Sequence, residues 1–223
     1  MNIKTVILIL LCVFGSWCAA DAQVRDIEGK RYKTVKIGDQ EWMAENLSVT
    51  LFRNGDTIPE AKTKEEWLAA AKNGQAAWCY YDNNKKNGRN YGKLYNWYAV
   101  SDPRGLAPEG WEVPDKDAWL NMLFRIDSPA RAGKQLKSKK LWKDPFKKEH
   151  KGNNKSGFNA LPAGKRTQEG NFRYLGTDAY FWTRTPASDK ANAVFRKLSY
   201  ISEAAYENSF QKGEGYSVRC IKK

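Results

Sequence analysis

The sequence YKTVKIGDQEWM, residues 32–43, decides how the fold begins. Residues 32–37 and 40–43 each have the composition of a β-strand, and only Gly38 and Asp39 separate them. A two-residue hairpin turn needs a positive φ, which glycine adopts without steric cost. This stretch therefore predicts an early β-hairpin.

Two helices are predicted downstream of the hairpin. Thr63 and Glu66 form a capping box ahead of residues 64–73. Gly74 supplies the stop for this helix. Asp115 is placed to cap the second helix, whose apolar residues recur at helical spacing. Those apolar residues are Trp119, Met122, Leu123 and Ile126.

The second half of the chain is predicted to be loop first and strand afterwards. Residues 129–179 are polar, basic and rich in turn residues, which predicts a long ordered loop region. The strands predicted after it cover residues 180–183, 193–200 and 216–221. Alternation in the last strand places Cys220 on the core face. No repeat or low-complexity linker divides the chain, so we expect one domain over residues 24–223.

The first residues have the pattern of an export signal. Lys4 precedes an apolar run over residues 6–14, and residues 20–22 read A-D-A, a signal-peptidase site. The apolar run is too short for the roughly 20 residues that cross a bilayer. We therefore predict a signal peptide over residues 1–22, cleavage after Ala22 and no transmembrane segment. The mature protein is expected to be secreted, periplasmic or on the cell surface.

The cysteines follow from this export prediction. Lipidation of Cys12 or Cys18 is the alternative export route, but a large residue precedes each of them, whereas lipidation sites ordinarily have a small one. Removal of residues 1–22 leaves Cys79 and Cys220. In an oxidising compartment a lone pair of cysteines favours a disulfide. The alternative is two buried free thiols.

The chain is strongly basic, with 38 Lys and Arg against 25 Asp and Glu and a formal net charge of +13. The lysines are scattered or in short clusters, such as residues 137–140 and 147–148, without a nucleic-acid-binding motif. Nucleic acid is therefore not an expected partner. Acidic polysaccharide and anionic lipid are the remaining anionic partners for an exported chain, and solubility alone is the alternative explanation of the charge.

Six motifs in order resemble those of one family. They lie at residues 35–47, 91–97, 108–114, 157–164, 180–183 and 215–220. Together they resemble the Fibrobacter succinogenes major paralogous domain over nearly the whole mature chain. One departure is Glu112, at a position where relatives commonly have histidine.

The resemblance implies an exported or surface protein of Bacteroidetes and Fibrobacter-like bacteria, and it implies no particular reaction. It also implies a distant similarity to C-type-lectin-like domains and to the formylglycine-generating enzyme. The expected fold is therefore α+β and C-type-lectin-like, with two helices, a long ordered loop region and small antiparallel sheets. The order of predicted elements agrees with that expectation.

Catalysis is not predicted. His150 is the only histidine and lies in a charged run, so neither a zinc site nor a Ser-His-Asp triad can be assembled from the usual residues. Formylglycine-generating activity would need a working pair of cysteines. A pair of carboxylates across a cleft leaves an unrecognised hydrolase as the least favoured alternative. The nominal acids are Asp82, Asp102, Asp115, Asp117 and Glu214.

No cofactor or metal is predicted. Residues 82–84 and 152–154 are rich enough in oxygen to hold calcium, but Asx residues beside glycine are turn formers first. The chain also lacks the sugar-binding calcium motifs that C-type lectins have.

A binding module is the preferred prediction. Its ligand would be a polysaccharide, an envelope component or a cell-surface protein, bound through a basic loop face, with a structural subunit of a surface assembly as the alternative. The candidate binding residues are Tyr81, Trp142, Lys165, Arg166, Arg173, Tyr174 and Arg184. The tryptophans expected in the core instead are Trp42, Trp67, Trp97, Trp111, Trp119 and Trp182.

Overall fold

Three β-sheets and five α-helices make up residues 23–223, the part of the chain described by a computed structural model. The strands are β1 (Gln23–Arg25), β2 (Arg31–Ile37), β3 (Gln40–Met43), β4 (Trp78–Cys79), β5 (Leu94–Tyr95), β6 (Trp111–Glu112), β7 (Ala163–Arg166), β8 (Phe172–Leu175), β9 (Asp178–Pro186), β10 (Asn192–Ser199), β11 (Ala205–Gln211) and β12 (Ile221–Lys222). The helices are α1 (Lys64–Lys72), α2 (Lys85–Tyr91), α3 (Trp97–Val100), α4 (Lys116–Ile126) and α5 (Ala132–Leu136). Short 3-10 turns cover Tyr81–Asn83 and Lys148–His150.

The first sheet has the strand order β1-β2-β3-β12-β6 and joins the two ends of the described chain. The predicted hairpin is confirmed as β2 and β3, with Gly38 at φ 63° in the turn. Ile221 of β12 pairs with Trp42 on one side and Glu112 on the other. The last strand therefore lies inside the sheet, between strands from early and middle parts of the chain.

The second sheet has the order β11-β10-β9-β7-β8, antiparallel except for the β7–β9 pair, and β4 and β5 form the small third sheet. The predicted strands at 180–183 and 193–200 are confirmed within β9 and β10. The loop prediction for residues 129–179 is only partly right, because this segment also forms α5, β7 and β8. The continuous strand predicted at 216–221 is wrong: its first residues form isolated bridges, and only β12 is a strand.

Both predicted helices are confirmed. In α1 the Thr63 hydroxyl accepts from the Glu66 amide at 3.1 Å, and the Glu66 carboxylate accepts from the Thr63 amide at 3.0 Å. In α4 the Asp115 carboxylate accepts from the Ala118 amide at 2.8 Å. The buried face of α4 carries Trp119, Met122 and Leu123, as its helical spacing predicts.

Buried side chains form three hydrophobic clusters. The first includes Tyr32, Tyr95, Trp97, Trp111, Trp182, Tyr216 and Cys220. The second includes Trp42, Trp119, Phe158, Phe181 and Leu198. The third includes Trp67, Cys79, Tyr81 and Leu94. All six tryptophans predicted for the core are buried, which confirms that prediction.

The predicted disulfide is wrong. Cys79 and Cys220 are both free and buried, and they belong to different hydrophobic clusters. Each thiol is packed as a small apolar group, so the alternative of two buried thiols is confirmed. Burial raises the pKa of Cys79 to about 12 and also raises the pKa of Cys220, so both stay protonated near neutral pH.

A buried polar network ties the last motif to the first. The guanidinium of Arg219 donates to Asn46 Oδ1 at 2.8 Å, to Asn159 O at 3.1 Å and to Phe158 O. Asn46 in turn donates to Ser217 Oγ at 3.1 Å. Burial lowers the pKa of Arg219 to about 9, so the group still carries its charge near neutral pH. We call these residues the Arg219 network; it joins segments that are far apart in sequence.

Other buried cations also bond to main-chain carbonyls. Lys137 Nζ donates to His150 O at 2.6 Å, to Ser199 O at 2.8 Å and to Ser202 O at 2.7 Å. Burial lowers the pKa of Lys137 to about 8. Part of the basic excess is therefore structural, because such cations satisfy loop carbonyls that water cannot reach.

The predicted signal peptide, its cleavage after Ala22 and the cysteines within it lie outside the described residues. Across residues 23–223, none of the helices has the length and hydropathy needed to cross a membrane.

Candidate functional site

One face of the second sheet carries a row of tyrosine and lysine side chains. Along β9, Tyr180 points to the face opposite Phe181, which packs in the second cluster. The strand register places Lys197 of β10 beside Tyr180, and Tyr206 of β11 beside Lys197. Three adjacent strands therefore bring a Tyr-Lys-Tyr row together from distant parts of the sequence.

Three further side chains extend this row. Lys165 Nζ lies 5.6 Å from the ring centroid of Tyr180 and 5.3 Å from that of Phe210. The ring of Tyr174 lies 6.2 Å from that of Tyr180. We call this set the Tyr180 surface. Its solvent side is formed by Tyr174, Lys197, Tyr206 and Phe210, and the largely buried Lys165 and Tyr180 lie behind them, with the carboxylates of Asp178 and Glu214 beneath; Tyr180 also belongs to the first hydrophobic cluster.

The outer aromatic rings of the Tyr180 surface face solvent. Tyr174, Tyr206 and Phe210 are 50%, 48% and 46% exposed. Tyr174 also has φ 68°, in the left-handed region that disfavours a residue with a bulky side chain. Such strain collects at functional sites, where the surrounding structure holds it in place. Three rings at the edge of the first cluster therefore remain half-exposed.

Two ion pairs form the floor of the Tyr180 surface. Lys165 Nζ lies 2.7 Å from Glu214 Oε2, and Lys197 Nζ lies 3.2 Å from Asp178 Oδ2. Tyr180 donates its hydroxyl proton to the same Asp178 oxygen at 3.0 Å. Burial, and next the charge of Asp178, raise the pKa of Tyr180, so its phenol stays protonated.

This arrangement is suited to holding a ligand. Half-exposed rings offer π-faces, and the ammonium of Lys197, whose side chain is 34% exposed, has N–H donors besides the one directed at Asp178. Within residues 23–223, no three His, Cys, Asp or Glu side chains are grouped as metal ligands.

The predicted candidate residues are divided among several places. Lys165 and Tyr174 lie together on the Tyr180 surface. Tyr81 does not lie on a loop surface: it is buried, and its ring packs 5.2 Å from that of Phe172. Arg166 is buried too and donates to main-chain carbonyls. Its partners are Ala61 O at 2.6 Å and Thr63 O at 2.7 Å.

The other candidates lie apart from this surface. Arg173 lines an open groove of about 270 Å³ together with Lys62 and Lys64. Trp142 is half-buried and donates its indole N–H to Ala160 O at 3.0 Å. Arg184 is exposed and forms ion pairs 3.5 Å from Glu112 and 3.1 Å from Asp115. The basic loop face is therefore several surfaces.

The asparagine-rich segments use their oxygens in local turns. Asn84 Oδ1 accepts from the Lys86 amide at 3.0 Å and caps α2. Asn153 Oδ1 accepts from the Lys155 amide at 3.0 Å, and Asn154 Oδ1 from Asn159 at 2.7 Å. These contacts are those of turn formers.

Sequence reasoning missed Asp178, Lys197, Tyr206 and Phe210. The strand β11 was not predicted because its alternate residues are polar or exposed on both faces. One signal was present: Tyr206, Asn208 and Phe210 recur at a spacing of two, which in a strand places them on one face.

The fold and this surface define a mixed α+β domain with mostly antiparallel sheets and an aromatic, lysine-bearing face. The chain belongs to the Fibrobacter succinogenes major domain family, whose family model matches residues 35–222. That match covers all six motifs on which the resemblance was based. No curated protein and no solved structure matches the chain.

Proposed function

We propose that this protein is an exported, non-catalytic module that binds an acidic polysaccharide through the Tyr180 surface. The observation that carries the proposal is the grouping of three half-exposed aromatic side chains around Lys165 and Lys197 on one sheet face. Aromatic rings stack on the apolar faces of sugar rings, and ammonium groups bind carboxylate or sulfate substituents.

The proposal includes a C-type-lectin-like fold. The chain has an early hairpin, two longer helices, a loop-rich middle and a last strand beside the first hairpin, which is the order expected of such domains. Export through residues 1–22 would bring the surface to extracellular or envelope glycans.

A structural role in a surface assembly is the second candidate. It is favoured by β11, an edge strand of the second sheet that presents Tyr206 and Phe210 beside unpaired main-chain groups. A partner strand could pair there, since an open edge is a template for strand addition.

The test is a glycan array of uronic-acid, sulfated and neutral polysaccharides, followed by titration of the bound ligand. We expect binding to acidic members, and a loss of about tenfold in affinity for Tyr206→Ala/Phe210→Ala. Leu68→Ala/Phe124→Ala is the matched control, because it removes two exposed apolar side chains from α1 and α4 instead.

A rise in salt concentration and the substitution Lys197→Gln each test the ionic contacts separately from ring stacking. Salt should weaken binding to acidic glycans because exposed charges are screened beyond about 8 Å at physiological ionic strength. Lys197→Gln should weaken it because it removes one positive charge. Unchanged glycan affinity in Tyr206→Ala/Phe210→Ala would contradict the proposal. Self-association lost in that variant, with no glycan bound by the parent, would favour the assembly role.

A further inference from the structure

The segment 139–151 is a surface loop with a strong positive charge; we call it the lysine loop. Its exposed lysines are Lys139, Lys140, Lys143, Lys147, Lys148 and Lys151. The acids in the same segment are Asp144 and Glu149. Among its lysines, Lys151 has a described acid partner, Asp144, at 3.3 Å. Six cations against two anions leave an excess of four positive charges on one loop.

An apolar side chain projects from the middle of the lysine loop. Phe146 is 90% exposed, the largest exposed fraction of any large hydrophobic residue in the described part of the chain. No ring contact of Phe146 is seen within residues 23–223, whereas Tyr174 on the sheet packs against Tyr180. Transfer of this ring from water to an apolar environment would be favourable, and Phe146 stands among six exposed lysines.

The base of the lysine loop is fixed to the protein. Lys137 holds His150 O at 2.6 Å, Trp142 donates to Ala160 O, and the Lys143 amide donates to Gly176 O at 2.7 Å. Between these anchors the main chain makes one 3-10 turn, Lys148–His150. Lys137, which precedes the loop and is buried, therefore fixes a loop whose own lysines face solvent.

We propose that the lysine loop docks the protein onto an anionic lipid surface, with Phe146 inserted at the boundary between headgroups and acyl chains. An apolar tip surrounded by lysines is complementary to such a surface, because the ring leaves water while the ammonium groups stay among the anionic headgroups. A sugar-stacking platform would need a ring supported by neighbours, which Phe146 lacks. The lysine loop lies outside the Tyr180 surface, and its docking to lipid does not depend on glycan binding.

The experiment measures binding of the protein, purified from cells expressing the full chain, to two kinds of vesicle. One contains phosphatidylcholine alone, and the other contains phosphatidylcholine with 30% phosphatidylglycerol. We expect binding to the anionic vesicles that weakens as salt rises. Phe146→Ala and Lys147→Glu/Lys148→Glu should each reduce affinity about tenfold or more.

Two controls match these variants in composition. Phe124→Ala removes another exposed phenylalanine, which is 61% exposed on α4. Lys85→Glu/Lys86→Glu reverses two exposed lysines at the start of α2. Both controls should bind as the parent does. Any contribution of residues 1–22 is the same in every variant and cancels in the comparison.

Absence of binding to anionic vesicles would overturn the proposal, as would binding that neither Phe146→Ala nor Lys147→Glu/Lys148→Glu reduces. Equal binding to neutral vesicles would also overturn it, since the charge would then play no part. Binding of soluble polygalacturonate through the same loop, without vesicle binding, would assign the loop to an acidic polysaccharide instead.

Discussion

The Arg219 network and the Tyr180 surface each place a cation beside aromatic rings, but the rings are buried in the first region and partly exposed in the second. Arg219 is fully buried, lies 4.4 Å from the ring centroid of Phe158, and has its donors bonded to Asn46 and main-chain carbonyls. Lys165 also lies beside aromatic rings, but its side chain is 15% exposed, its charge is paired with Glu214, and half-exposed rings remain next to it. The buried cation holds segments of the chain together, whereas the cation of the Tyr180 surface lies beside rings that are still half-exposed.

More residues of the Arg219 network than of the Tyr180 surface lie in the family motifs. Asn46 and Arg219 belong to quoted motifs, and so does Asn96, which accepts from the Ala77 amide at 3.0 Å. Of the Tyr180 surface, the motifs include Tyr180 itself, while Tyr206 and Phe210 lie outside them. Family membership therefore explains how the chain folds better than it explains what the surface binds.

The largest expected effect is the loss of stability when the buried Arg219 network is broken. Arg219→Ala should lower the free energy of unfolding by about 3–5 kcal/mol, because it leaves a buried amide and several buried carbonyls without donors. Denaturant titration measures the loss. Arg173→Ala, which removes an exposed arginine, should change stability by less than about 0.5 kcal/mol. Equal stability of the two variants would show that the network does not hold the fold.

A smaller effect is expected from the floor of the Tyr180 surface. Lys165→Met should cost about 2–3 kcal/mol, since it leaves the carboxylate of Glu214 buried and unpaired, with 2% of its side chain exposed. Lys165→Met/Glu214→Met should recover most of that loss. A double variant as unstable as the sum of the two single variants would show that the two charges act independently.

The smallest expected effect is that of a reducing agent. Because Cys79 and Cys220 are free, adding reductant should leave the melting temperature unchanged. Thiol labelling followed by peptide mapping should modify both residues only after unfolding. A drop in melting temperature on reduction, together with a Cys79–Cys220 cross-linked peptide, would restore the disulfide.

Local signals in the sequence were sufficient for the elements with strong short-range chemistry. The capping box of Thr63 and Glu66, the Gly38 turn and the helical spacing after Asp115 each specify a structure over a few residues. The buried tryptophans were predictable for a related reason, since they lie in elements or motifs. These features need no knowledge of distant contacts.

The Tyr180 surface could not be predicted in full because it depends on register between distant strands. Tyr206 approaches Tyr180 only through the pairing of β11 with β10 and of β10 with β9. The disulfide prediction was wrong for a similar reason. The predicted export favours a disulfide, but the packing places the two thiols in separate clusters. Arg166 lies in a segment with the composition of a loop, but it is buried and donates to the carbonyls of Ala61 and Thr63.

The position of β12 has a consequence for the order of events during biosynthesis. Ile221 of β12 separates β3 from β6 and pairs with a residue of each, Trp42 and Glu112. The first hairpin therefore lacks its inner neighbour until β12 has been synthesised, and contacts of such long sequence separation form slowly. The bonds that β12 makes to β3 and β6 therefore form late during synthesis, after the other strands of this sheet have been made.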